Sequence, residues 1–246
     1  MFILTAPLFG PKHLSGLGLL LVLAVLLVVV LRYIKASEKN LILFSAIIFW
    51  IFEIVKITYM IVDNGKFPMN HLPFHLCSIP LYVLPILYFS KSGSKLEKYM
   101  KATLYGVVPI AGIAALVLPT NIIGSSESWF PLTENILPML SFIFHGLMIF
   151  IPFYMVYKKA YVIKYSDIRY AYACTLTLMV GAMIVNALLD KDYMLLNTGN
   201  GSPLQFLLDS GQVLYTTSMI LLGLFVINLN FSIAAGIKFL MRRINQ

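Results

Sequence analysis

The stretch Leu14 to Leu31, "LSGLGLLLVLAVLLVVVL", holds eighteen residues without one charge. A helix needs about 20 apolar residues to cross the hydrocarbon core of a bilayer, so this run reads as a membrane span. It is too long for the apolar region of a signal peptide. It also lacks a basic leader, and "RYIKASEKN" follows it without a cleavage pattern. It is therefore expected to stay in the protein as the first span.

Working outward, similar runs fall at Leu41 to Val62, Pro73 to Phe89, Met100 to Leu118, Ile136 to Tyr157, Ile168 to Leu189 and Val213 to Leu229, the last running on toward Leu240. Of the 246 residues, 60% are hydrophobic and only 11% charged, a composition that excludes an ordinary soluble domain. The fold class expected is all-α: a polytopic bundle of seven transmembrane helices forming one integral membrane domain over residues 1–246. No repeat, linker or charged block marks a second domain.

The net charge of +8 would suggest nucleic acid in a soluble chain. Here the bases sit in short loops. Arg32, Lys35, Lys39, Lys91, Lys95, Lys98, Lys101, Lys158, Lys159, Lys164, Arg169, Lys238, Arg242 and Arg243 follow the odd spans, whereas only Lys12, Lys66 and Lys191 fall on the other side. Under the positive-inside rule this places the N-terminus outside and the C-terminus in the cytoplasm. The expected location is the cell membrane, multi-pass, with phospholipids as partners and no nucleic acid. Cys77 and Cys174 fall near opposite faces, too far apart for a disulfide.

Prolines 80, 85, 109, 138 and 152 interrupt spans three, four and five. Each releases a backbone carbonyl that lipid cannot satisfy, so neighbouring helices or a protein-lined cavity must meet it.

Ionisable groups inside spans cost about 2.5–3.5 kcal/mol each at mid-membrane on insertion scales, and so mark candidate sites. Glu53 and Lys56 share a helix face; they form either an internal ion pair or part of a substrate pocket. His71 and His75 could share a face as two zinc ligands, but the three or four ligands a metal needs are not present, and no metal site is expected. Cys77 is either a small buried residue or a nucleophile awaiting a base. His75, two residues away, would point to the opposite side of a regular helix, so a base from another helix is required.

His145, about 15 Å into the fifth span by helical rise, either supplies one, which requires that the third span begin low or the fifth be kinked, or makes a helix-to-helix hydrogen bond for packing. Asn186, Asp190 and Tyr193, with Gly199 and Gly201, belong to a polar outer loop that either caps a pocket or only connects spans.

"LPFHLCS" at the third span, "PMLSFIFHGLMIFIPFYMVY" in the fifth and "NALLDKDYMLLNTGNGSPLQFLLD" after the sixth together resemble the YwaF-like family of bacterial integral membrane proteins, which is similar to the animal transmembrane protein 164. The resemblance implies a cysteine-dependent phospholipid acyltransferase or acyl hydrolase. It assigns Cys77 as nucleophile and His145 as base, and matches His75, Asn186 and Tyr193 to motif positions. An oxyanion would then find donors in Asn186 or His75. The chain departs from the family pattern at "LPTNIIG" and "DYM". No nucleotide, flavin or zinc-protease motif is present, and no cofactor is expected. The competing class is a non-enzymatic transporter or binding protein whose Glu53, Lys56 and histidines line a polar path.

Overall fold

The computed structural model describes residues 9–119, 122–162, 164–198 and 204–244; side chains are described as far as 237. Gly199 and Gly201 lie outside the described residues. The architecture is helical, with no strand among the described residues. It comprises α1 (Pro11–Tyr33), α2 (Glu38–Asn64), α3 (Ile79–Phe89), α4 (Lys95–Gly106), α5 (Val108–Val117), α6 (Leu132–Tyr157), α7 (Ile168–Leu189) and α8 (Gln212–Ile244). Six helical segments are long and apolar enough to cross a membrane, α4 and α5 together making one of them.

The third expected segment differs. Its apolar character begins at Pro73, but regular helix begins only at Ile79. Eleven residues reach about 16 Å, half of a hydrocarbon core of about 30 Å. Residues 69–78 fold instead as two short 3₁₀ turns, Met69–His71 and Leu76–Ser78. Pro73 between them has no N–H to continue a ladder and disfavours helical backbone in Leu72, which is extended. Pro80 then occupies the first turn of α3, where a missing N–H costs nothing.

The prolines release carbonyls as expected, and two of these have identifiable partners. Pro85 frees the carbonyl of Leu81, which accepts from Trp50 Nε1 of α2 at 2.9 Å. Pro109 breaks the fourth span between α4 and α5 at Val107 and frees the carbonyl of Tyr105, which accepts from Asn230 Nδ2 of α8 at 3.1 Å. In each case one helix supplies the donor that another has lost.

The helix ends gather as the alternating charge predicts. At one end, Arg32 reaches Tyr157, Lys39 lies over the Tyr88 ring, and Lys101 bridges Glu38, Glu97 and the Ala160 carbonyl. This basic end collects the C-termini of α1, α3 and α6 and the N-termini of α2 and α4. At the other end, Lys12 donates to Asn135 Oδ1 and the Ser126 carbonyl, and Tyr59 donates to the Thr133 carbonyl.

The core runs through α3, α4, α5 and α6, where Leu84, Ala102, Val108 and Met148 are fully buried. By contrast α1 and α8 are largely exposed along their apolar faces, as lipid-facing helices are.

Candidate functional site

Cys77 sits in the turn before α3, twelve residues from the basic end at Phe89. His145 lies twelve residues from the same end of α6, at Tyr157. At a rise of 1.5 Å per residue both are about 18 Å deep. Glu53 of α2, fifteen residues from Glu38, is at about 22 Å on the same scale. Counted from the basic end, Cys77 and His145 therefore fall at a similar depth.

Lateral packing brings the same residues inward. The turn carrying Cys77 packs on α5, and α5 packs on α6. The second contact is closest at Gly112, where an added Cβ would stand 2.8 Å from the carbonyl oxygen of His145. From the other flank, Phe49 and Phe52 of α2 meet the ring of Phe144, the nearer at 4.8 Å between centroids.

On α2, Lys56 Nζ binds Glu53 Oε2 at 2.7 Å. Glu53 is only 6% exposed, and its second oxygen, Oε1, is buried with no hydrogen-bond partner.

His145 is buried, and its Nδ1 stands 2.7 Å from the Ser141 carbonyl. A carbonyl can only accept, so Nδ1 carries the proton and Nε2 the basic lone pair. Cys77, partly buried, does not hydrogen-bond to His145.

His75 is extended, with φ −78° and ψ 159°, so the alternation of a regular helix does not apply between it and Cys77, nor does the shared helical face expected of His71 and His75. The ring of His75 is occupied elsewhere: Nε2 donates to the Asn70 carbonyl at 3.0 Å, and the ring meets Tyr193 edge-on at 5.1 Å. His71 is exposed at the mouth of this loop. Partial burial, with Lys56 and His75 close by, lowers its pKa.

Asn186 and Tyr193 form a brace. The amide of Asn186 accepts from the Tyr193 N–H at 2.7 Å and donates to the Tyr193 carbonyl at 3.0 Å. The fully buried Tyr193 sends its hydroxyl to the Met69 carbonyl and packs on Phe74. Both ends of the Asn186 amide thus hold the backbone of Tyr193, whose hydroxyl ties the loop that carries Cys77 to α7. Tyr82 adds a second strut, donating to the Pro73 carbonyl at 2.8 Å. Asp190 is exposed at the left-handed C-cap of α7, where its backbone N–H donates to the Asn186 carbonyl.

The family model described as the TMEM164 family matches residues 8–229. The chain belongs to the TMEM164 family. Comparisons with curated proteins and with solved structures give no match. Cys77, His145, Glu53 and Lys56 all fall within the stretch that the family covers.

Sequence reasoning missed several residues that shape this TMEM164-family fold. Lys12 is buried beneath the Trp129 ring, and the fully buried His13 bonds the Leu116 carbonyl at 2.7 Å. Their partners are more than a hundred residues away in sequence, and no local pattern announces them. Trp50 and Asn230 were findable in principle, since the prolines opposite them require donors. Among the described residues no group of three or more His, Cys, Asp or Glu is placed to hold a metal ion.

Proposed function

We propose that the chain moves or hydrolyses lipid acyl groups through an acyl-thioester on Cys77, with His145 as base. It would do so as a multi-pass protein of the cell membrane, with α3 and its preceding turns as the seventh membrane segment, the N-terminus outside and the basic end cytoplasmic. The family resemblance supplies the chemistry. What supports it most is the irregular turn Leu76–Ser78, which carries Cys77 as many residues from the basic end as His145 is.

In the first half-reaction His145 Nε2 takes the thiol proton, and the sulfur attacks the ester carbonyl of a membrane phospholipid. The leaving alkoxide then recovers that proton from His145, as in other nucleophile and base pairs. In this reading Lys56, held by Glu53 at 2.7 Å, offsets the negative charge that develops on sulfur. His71 stands where the loop meets solvent and serves the approach of the headgroup. Tyr193, Asn186 and His75 hold the turn in place.

The test is labelling of the full-length protein in lipid nanodiscs with an alkyne-tagged acyl phospholipid. Label on Cys77 is expected, abolished in Cys77→Ala and lowered by roughly 100-fold or more in His145→Ala. Cys174 serves as the internal control and stays unlabelled. Unchanged labelling and lipid turnover in Cys77→Ala would sink the proposal.

A further inference from the structure

Of the 10 acids in the chain, Glu38, Glu97 and Asp167 stand at the basic end, and each is already engaged. Glu38 and Glu97 both bind Lys101 Nζ, at 2.5 and 3.0 Å, and Asp167 accepts from the Tyr161 hydroxyl at 3.1 Å. The neighbouring cations are left without an acid. Arg32, Lys39, Lys91, Lys158 and Lys159 are exposed, and none of them forms an ion pair among the described residues.

They come from separate segments of the chain, and the fold joins them in one arc. Arg32 donates to the Tyr157 hydroxyl, which sets the end of α1 against the end of α6, where Lys158 and Lys159 follow. Lys101 then bridges the Ala160 carbonyl, at 3.1 Å, to Glu38, the first residue of α2. Lys39 comes next, its ammonium 5.1 Å from the centre of the Tyr88 ring near the end of α3, and Lys91 lies in the loop beyond. Both acids on this path are spent on Lys101, so the arc keeps its charge.

A topology signal requires only that each loop be basic, not that the loops be gathered. Like charges repel over a Debye length of about 10 Å at 0.1 M salt, so a fold that gathers them is stabilised by anions supplied from outside. The rings at this end set the level at which those anions lie. Tyr157 is 60% exposed and Phe89 83%, and aromatic rings turned outward at the ends of membrane helices mark the headgroup layer.

We propose that the arc from Arg32 to Lys91 is a binding surface for anionic phospholipid headgroups in the leaflet that it faces. This rests on the membrane placement of the helices and is independent of the chemistry at Cys77. Lys101, neutralised from within, holds the segments together and leaves the outer bases to the lipid phosphates.

The test uses full-length protein in vesicles of phosphatidylcholine and phosphatidylglycerol in equal parts. Spin-labelled forms of each lipid report, by electron paramagnetic resonance, how much of each is immobilised at the protein. Wild type is expected to favour phosphatidylglycerol by roughly fivefold, and the combined variant Arg32→Gln, Lys39→Gln, Lys158→Gln, Lys159→Gln by less than about twofold. Lys164→Gln with Arg169→Gln, at the same end but off the arc, is expected to stay close to wild type. Salt at about 1 M, where the Debye length is about 3 Å, is expected to abolish the wild-type preference without any substitution. That measurement decides the matter even if the combined variant does not fold. Equal immobilisation of the two lipids by wild type, or a preference that survives salt, overturns the proposal. An equal loss in the control variant assigns the preference to diffuse charge and overturns the arc. Full displacement by inorganic phosphate at constant ionic strength assigns the arc to a soluble anion and overturns it too. None of these outcomes alters the labelling expected at Cys77.

Discussion

The indole of Trp50 donates to the carbonyl of Leu81 at 2.9 Å, the same carbonyl that Pro85 deprives of its helical partner. An intramembrane hydrogen bond of this kind contributes about 0.6 kcal/mol on average and up to about 1.7. Trp50→Phe keeps most of the ring and removes the donor. A lowered melting temperature in detergent, with a loss of about 0.5–1.5 kcal/mol, is expected. Asn230→Leu at the Tyr105 carbonyl is expected to behave alike. Because the two sites share no residue, their effects should add.

Asn186→Leu is expected to be more damaging than either. It leaves the N–H of the fully buried Tyr193 without its partner, and its carbonyl with the Leu196 N–H at 3.4 Å alone, at about 1–3 kcal/mol for the orphaned N–H. Limited proteolysis near residues 69–78 should accelerate, since Tyr193 ties that loop to α7. Tyr193→Phe, which loses only the bond to the Met69 carbonyl, should show a smaller effect in the same assay.

Gly112→Val tests the contact of α5 with α6. The Cβ would approach the His145 carbonyl oxygen to 2.8 Å and Ile149 to 3.0 Å. The first atom is backbone and yields only if the helices separate, so overpacking of about 1–3 kcal/mol is expected. The chemical shifts of a 15N-labelled His145 ring should move with it, whereas Gly181→Val, with open space around its Cβ, should leave both stability and spectrum unchanged.

His71 sets a pH dependence whose sign follows from its lowered pKa. Between the folded pKa and the unfolded value of about 6.5 the unfolded chain binds more protons, so stability rises with pH across that window. It falls as pH drops from about 6.5 toward the folded pKa, and the contribution is constant below that. His71→Gln should flatten this part of a melting-temperature profile recorded from pH 5 to 7.5. An unaltered profile would show that His71 is not the titrating group.

Much of this was readable from hydropathy and charge. Arg32, Lys39 and Lys101 do gather at one end, in contacts that involve five helices. Pro85 and Pro109 release carbonyls that other helices satisfy. The start of α3 was not readable, because hydropathy reports apolar character and residues 73–78 are apolar without being helical. That boundary decides the local geometry: a regular helix from Pro73 would have turned His75 away from Cys77. The brace of Asn186 and Tyr193 was visible only as two polar residues, and the burial of Lys12 and His13 depends on a loop far away in sequence.

The brevity of α3 also bears on how the protein is made. A segment that partitions into the bilayer by itself needs about 17 or more helical residues, and α3 has eleven, preceded by turns whose backbone groups are only partly paired. As the proposed seventh membrane segment it is expected to enter the bilayer with a neighbour, either α2, whose Trp50 meets the Leu81 carbonyl, or α4, which follows it in sequence. Integration is then expected as a hairpin, with the turn bearing Cys77 taking its shape once a neighbouring helix has entered the lipid beside it.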